Sequence, residues 1–397
     1  MADAPDFPQA HYALGRAYWR NGSFDMAQSE FEAALKLSPG MLPVVESMAS
    51  LQLARRQPAL AKEYAQRCVE VAPGNPTCHL LLGMVFLDGE TGTALEQFQI
   101  ASRLAPKEPV AHLQLAAAYS RMKKWQEAEN QFQEALRVSP RNDHALEQYA
   151  NYLAVRNQRA QAITRVQQFL ADYPDDAGAT LLLGSLYAGA KQYGDAKTQA
   201  ERAIQLDPKL VAAYLDLGKL EQALGNRDAA IRSYEKALTL QPNIVPLLTL
   251  VGNLYLYKSD LASARKYYDR AVAIDSDFAP ALANLAYLQA NQGGDLNVAL
   301  SLAQKAKSLL PNLDAIDDTL AWIEFLKGEH VEALPTFEEC VRKDPSIAVF
   351  RYHLGMALLA RGDKKGAKSA LEVALKLNLA GDDAQRARET LAHTTVD

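Results

Sequence analysis

Prolines recur along this chain at an almost constant interval, and that interval constrains the fold more than any other feature. They stand at Pro39, Pro73, Pro106, Pro140, Pro174, Pro208, Pro242, Pro311 and Pro345, each after a short Leu/Val-x or Asp tail. Successive gaps are 34, 33, 34, 34, 34, 34, 69 and 34 residues, and the gap of 69 holds one further copy whose proline slot is Ser276. Such a period describes one supersecondary unit repeated end to end, each copy burying its apolar face on its neighbours.

Other positions fall into the same register. The unit from Pro8 places Leu14-Gly15, Tyr18, Ala27, Phe31 and Ala34 where the unit from Pro109 places Leu115-Ala116, Tyr119, Ala128, Phe132 and Ala135. The unit from Val245 repeats them as Val251-Gly252, Tyr255, Ala264, Tyr268 and Ala271. Small residues at three slots, an aromatic closing a first helix and another within a second resemble the tetratricopeptide repeat. That resemblance implies an all-α fold: a helix–turn–helix solenoid wound as a right-handed superhelix, of about eleven repeats plus a C-terminal capping helix.

The register divides the chain at 8–41, 42–75, 76–108, 109–142, 143–176, 177–210, 211–244, 245–278, 279–313, 314–347 and 348–381. Residues 1–7 form a tail, and 382–397 a capping helix and tail whose Ala384, Ala387 and Leu391 share one face. Slots such as Gly218 and Ala237 lack bulk where two helices come closest, because larger side chains there would overpack the contact. Breaks such as Asn21-Gly22-Ser23 and Arg361-Gly362-Asp363 end first helices. Pro335 falls inside a second helix, where it is expected to bend it.

Composition agrees with helices and narrows the partners. Apolar residues make up 49% of the chain but aromatics only 8%, with Ala and Leu dominating, which suits close helix packing. The formal net charge is −5 with no basic block, so the phosphate neutralisation that nucleic acid requires is missing. No run of eighteen apolar residues offers a membrane span. Met1–Pro8 carries no signal-peptide pattern, and repeat sequence starts by Gln9. Both a cytoplasmic protein and a periplasmic or envelope-associated one that has lost an export signal fit that start.

Catalytic and metal motifs are not evident, and the reading is of a non-enzyme without cofactor or metal. His11, His79 and His112 share the fourth slot of their repeats and are expected to pack. No His-x-x-x-His or Cys-x-x-Cys pair occurs. Cys68 and Cys340 fill small slots as hydrophobes; Cys78 follows closely enough for a disulfide with Cys68, but burial already accounts for both.

The resemblance also implies where a partner sits, since in that family the first helices line the concave face. Reading the second, fifth, sixth, ninth, twelfth and thirteenth slots gives a C-terminal set of Tyr257, Tyr287, Trp322, Phe325, Tyr352 and Met356, with Asn253, Asn284 and Asp318. A secondary patch comprises Tyr12, Arg16, Trp19, Arg20, Leu80, Met84 and Leu87. Trp322, Phe325, Tyr287 and Tyr352 are expected to form an aromatic stripe across three first helices, taking a protein or peptide segment. Asn253 and Asn284 match the asparagines of chaperone-tail-binding relatives, but Thr249, Ala315 and Thr319 replace the basic residues, which excludes carboxylate capture.

Asp317-Asp318-Thr319-Leu320-Ala321-Trp322, then Leu334-Pro335 and Tyr352-His353-Leu354-Gly355, resemble the closing repeats of bacterial proteins linked to exopolysaccharide export and exosortase sorting. That likeness implies a scaffold in a bacterial envelope assembly. Self-association through Leu80, Met84 and Leu87, or service as the regulatory arm of a larger enzyme, are the alternatives.

Overall fold

A computed structural model describes residues 7–394; the outer parts of the two expected tails, 1–6 and 395–397, lie outside the described residues. The described residues form twenty-three helices and no strand. They fall into two compact units divided between Gln192 and Tyr193.

The first unit opens with α1 (Pro8–Arg20), α2 (Phe24–Leu37), α3 (Leu42–Ala54) and α4 (Pro58–Val71). It continues through α5 (Pro76–Phe86), α6 (Thr91–Leu104), α7 (Pro109–Arg121) and α8 (Trp125–Val138). It closes with α9 (Asp143–Val155), α10 (Arg159–Asp172) and α11 (Ala177–Gly189). The second unit starts with α12 (Tyr193–Leu206), α13 (Val211–Ala223), α14 (Arg227–Leu240), α15 (Val245–Tyr257) and α16 (Leu261–Ile274). Then come α17 (Ala279–Asn291), α18 (Leu296–Leu309), α19 (Asp314–Leu326) and α20 (His330–Lys343). It ends in α21 (Ala348–Ala360), α22 (Lys364–Lys376) and α23 (Gly381–His393).

Each hairpin is two short helices joined by a tight turn. Five turns place a glycine in the left-handed region, among them Gly22 (φ 77°) and Gly362 (φ 84°). Five others place Arg56, Lys123, Asn157, Lys191 or Ser259 there, which a side chain adopts at a cost. The small slots then let the two helices meet. A Cβ added at Gly218 would lie 2.2 Å from Tyr234 Cε1, and one at Gly83 would lie 2.4 Å from Phe98 Cε1. Both rings occupy the space that a side chain at the glycine would need.

Helices of eleven to fourteen residues are marginal alone, so the stack stabilises them. In the first unit Leu146, Tyr149 and Leu153 of α9 are buried among Phe132 of α8 and Phe169 of α10. The fourth-slot histidines pack as expected, and each reaches the second helix of its hairpin. His11 meets Glu30 at 2.7 Å, His79 meets Gln97 at 2.9 Å and His112 meets Gln131 at 2.8 Å.

The cysteine expectation is corrected. Cys68, in the last turn of α4, and Cys78, in the first turn of α5, are joined by a disulfide with Cα atoms 5.2 Å apart. The short connection, capped by Asn75 on the amide of Thr77, turns α5 back against the end of α4. Cys340 does fill its small slot as a buried thiol, pushed up to about 12 mainly by that burial and then by Asp318 and Asp314. Helix α20 runs through Pro335 without interruption.

Candidate functional site

In the second unit, α15, α17, α19 and α21 are the first helices of successive hairpins, and each touches the next. After α22 the chain turns at Asn378 and Gly381, both in the left-handed region, and returns along these helices as α23. The return is close. A Cβ at Gly381 would lie 3.1 Å from the carbonyl oxygen of Leu256 in α15. The Tyr287 hydroxyl of α17 donates to the Asp383 carboxylate, and Arg386 Nη1 donates to Asn291 Oδ1 at 3.2 Å. Leu379, Ala384 and Ala387 are buried in the cluster that holds Trp322, Phe337 and Tyr352.

This placement revises the expected aromatic stripe. Trp322 is 2% exposed and Tyr352 is fully buried, so neither ring faces an open groove. Trp322 stacks on His353 at 4.0 Å and on Phe325 at 5.1 Å, and its Nε1 donates to Asn291 Oδ1 at 3.2 Å. Tyr287 and Phe325 are half-buried against the same cluster, and Met356 lies beneath α23, its Sδ 3.9 Å from Thr390 Oγ1. The physical reason is intramolecular: α23 supplies the apolar face that these rings would otherwise offer to a partner. Burial, followed by the nearby Asp383 carboxylate, holds the Tyr287 and Tyr352 phenols above their ordinary range.

Asp318 is likewise withdrawn from the open surface. It is 3% exposed, and its Oδ2 accepts from His353 Nδ1 at 2.7 Å. Its Oδ1 has no hydrogen-bond partner among the described residues.

Beside this buried cluster lies a cavity of about 530 Å³, within the roughly 300–1,000 Å³ of ligand pockets. Asn253, Tyr257, Asn284, Tyr287 and Asp318 line it, so five of the nine residues read from the concave slots come together there. The wall also includes Leu256, Ile316, Val349, the returning segment from Asn378 to Asp383, and Arg386. Asn284 Nδ2 donates to Asn253 Oδ1 at 2.7 Å, and the Tyr268 hydroxyl donates to the same oxygen at 2.7 Å. Fixed in this way, the pair keeps Asn253 Nδ2 as a donor and Asn284 Oδ1 as an acceptor. Tyr257 is 38% exposed, with the Arg227 guanidinium 3.8 Å from its ring centroid.

Residues of the returning segment escaped the slot reading: Asp382, Asp383 and Arg386, together with Asn291 and His353. Slots on first helices cannot reveal Asp382, Asp383 and Arg386, because the cap is not a repeat. Asn291 and His353 stand in the thirteenth slot of α17 and the sixth slot of α21, where nothing local marks them as partners of the cap or of Asp318. The available signal was the alternation of Ala384, Ala387 and Leu391 with charged neighbours, which marks a helix needing an apolar bed.

The secondary patch lies in the first unit and is less open than expected. Tyr12 and Trp19 pack on Phe31 at 6.1 and 6.3 Å, with the Arg16 guanidinium 5.6 Å from the Tyr12 ring and Arg20 exposed. Leu80 and Leu87 pack against the Phe98 cluster, which leaves Met84 as the exposed apolar member. Elsewhere in this unit, Glu46 lies within 4.8 Å of the Cys68 and Cys78 sulfurs. Bonded to each other, those sulfurs are not thiolate ligands.

Family comparison follows the same repeats. "YpiA-like, C-terminal tetratricopeptide repeats" matches residues 109–176, and families described as "Tetratricopeptide repeat" match 8–41, 149–211, 211–244 and 245–278. No curated protein matches the chain. Among solved structures, the APC/C hetero-tetramer Cut9–Hcn1 is similar at 12% identity, covering 98% of this chain and 96% of that one, with a TM-score of 0.48. A tetratricopeptide repeat protein from Parabacteroides merdae ATCC 43184 is 16% identical over 64% of this chain and 98% of that one, with a TM-score of 0.49. The crystal structure of MamA is 23% identical over 41% and 95%, with a TM-score of 0.36. With its paired helices matched by these families in both units, the chain carries tetratricopeptide repeats.

Proposed function

We propose that this protein is a non-catalytic interaction scaffold that receives a peptide segment of a partner protein in the cavity of its second unit. One observation carries the reading: the Asn253–Asn284 pair lines a cavity between first helices and the returning segment, with one donor and one acceptor unused. A peptide bond presents one acceptor and one donor, so a segment laid along the pair satisfies both. Apolar walls from Leu256, Ile316 and Val349 receive side chains, and the exposed ring of Tyr257 offers contact area at low entropic cost. Trp322 and Tyr352 serve this site from below, as the packed bed that holds α19, α21 and α23 in place.

The likeness of 317–355 to exopolysaccharide-linked repeat proteins supports a bacterial envelope assembly as the setting. The test is to compare partner capture by the wild-type protein with that by Asn284→Ala and Tyr257→Ala, measuring thermal stability on the same samples. The reading expects both variants to melt like wild type and to lose most of the captured partner. Unchanged capture by both would remove the cavity from the function.

A further inference from the structure

The cavity has a charge preference as well as a shape. Asp318, Asp382 and Asp383 line it, against Arg386 as the cationic side chain among its described lining residues. Arg386 is already engaged with Asn291, and Asp383 with the Tyr287 hydroxyl. The N-terminal end of α23 offsets part of the charge of Asp382 and Asp383, which stand in its first turn. Asp318 has no such offset from a helix start.

Asp318 is the more telling residue, because its situation does not follow from the acidic rim. Its carboxylate is 3% exposed, one oxygen is held by His353, and Oδ1 is left without a donor. A buried carboxylate oxygen without a donor is costly, and structures rarely leave one so. Asp318 is one of the residues that line a cavity large enough for a ligand. A donor arriving from that cavity completes its hydrogen bonding, and a charged donor answers the surplus of carboxylates as well.

We propose that the segment received by this cavity is cationic and bears lysine, one ammonium donating to Asp318 Oδ1 and a second charge meeting Asp382 at the rim. The inference rests on the reading of the cavity as the partner site and names the chemistry of its occupant. Lysine suits the geometry, since its long apolar stem lies along Leu256 and Ile316 while its head reaches a buried acid. Tyrosine rings add to this, as Tyr257 already takes the Arg227 guanidinium on its face. A free polyamine would satisfy Asp318 but has no acceptor for the Asn253 donor, whereas a peptide carbonyl does, so a peptide is the better fit.

The experiment uses the full chain and a short fluorescent peptide of alternating alanine and lysine, followed by anisotropy at two salt concentrations. Matched peptides carry acetyl-lysine or glutamate in place of lysine, and spermidine serves as an unlabelled competitor. The proposal expects the lysine peptide to bind, more weakly at higher salt, and the acetylated and glutamate forms to bind at least about tenfold more weakly. Asp318→Asn and Asp382→Asn should each weaken the lysine peptide by about tenfold. Asp382 is half-exposed, so its variant keeps the fold and decides the matter even where Asp318→Asn destabilises the core.

Other results overturn the proposal in distinguishable ways. Equal binding of the acetylated peptide, still lost in Asn284→Ala, would end the charge preference and leave the cavity as the partner site. Lysine-peptide binding that ignores Asp318→Asn, Asp382→Asn and Asn284→Ala would place the contact elsewhere on the chain. Spermidine that displaces the peptide at matched amine concentration would make the ligand a small amine. No binding by wild type would reject a cationic segment, while capture of the native partner by Tyr257→Ala and Asn284→Ala judges the cavity independently.

Discussion

The hydroxyl of Tyr287 donates to the carboxylate of Asp383 at 2.5 Å, across 96 residues of sequence. This bond ties α23 to α17, two hairpins before the end of the stack, and so fixes the roof of the cavity. Removing the hydroxyl in Tyr287→Phe leaves the ring packing intact but takes one donor from a carboxylate, at a cost of about 1.5–3 kcal/mol. Hydrogen exchange should rise first in α23 and the segment before it, ahead of α17. Exchange that rises equally throughout the second unit would contradict this role.

Gly218 and Tyr234 test the closeness of a hairpin. With Tyr234 Cε1 only 2.2 Å from the position of an added Cβ, Gly218→Ala must displace a ring that is 1% exposed. The expected loss is about 1–3 kcal/mol, despite the better helix propensity of alanine. Chemical denaturation of the single variant measures it, and a neutral or stabilised variant would show that the hairpin has slack.

The Cys68–Cys78 disulfide closes a short loop between two hairpins of the first unit. By the chain-entropy argument such a loop contributes about 2–3 kcal/mol. Reduction should therefore lower the thermal midpoint and raise exchange in α3 to α6, with the second unit unaffected. An identical melting curve with and without reductant would contradict the bond's contribution.

Tyrosine burial predicts an alkaline limit. Burial pushes the phenols of Tyr149, Tyr234 and Tyr255 up to about 12, so their neutral forms are favoured in the folded state. Their contribution is complete below the ordinary value of 10.0 and is lost as pH rises from there through about 12. A phenolate absorbance titration of the native protein should lag that of the unfolded chain, with the thermal midpoint falling over the same window. Coincident titration curves would contradict the burial.

The fold was largely legible because its determinants are local. A ring such as Phe98 and the small slot it covers, Gly83, sit fifteen residues apart and recur in phase, so one helix pair reveals the next. Asn253 and Asn284 were legible because the register assigns both to concave slots, the ninth and the sixth, of successive first helices. The return of α23 was not. Nothing in the slots of α19 or α21 says that Trp322 and Tyr352 are covered, since the covering residues stand outside the period. The amphipathic pattern of 382–393 indicates a helix with an apolar bed, while only the fold shows that the bed extends to Tyr287 and Asn291. His353 was hidden differently: its partner, Asp318, belongs to the preceding first helix and reads in sequence as a concave-face acid open to a partner, not as one buried against a histidine.

Site-specific photocrosslinking tests the central claim most directly. A photoreactive phenylalanine analogue at Tyr257, exposed at the cavity wall, is compared with the same group at Trp125, exposed in the first unit. The account predicts that a partner crosslinks from position 257, through a segment containing lysine, and that Asn284→Ala abolishes the product. A partner that crosslinks equally from position 125, or from 257 regardless of Asn284, would contradict it.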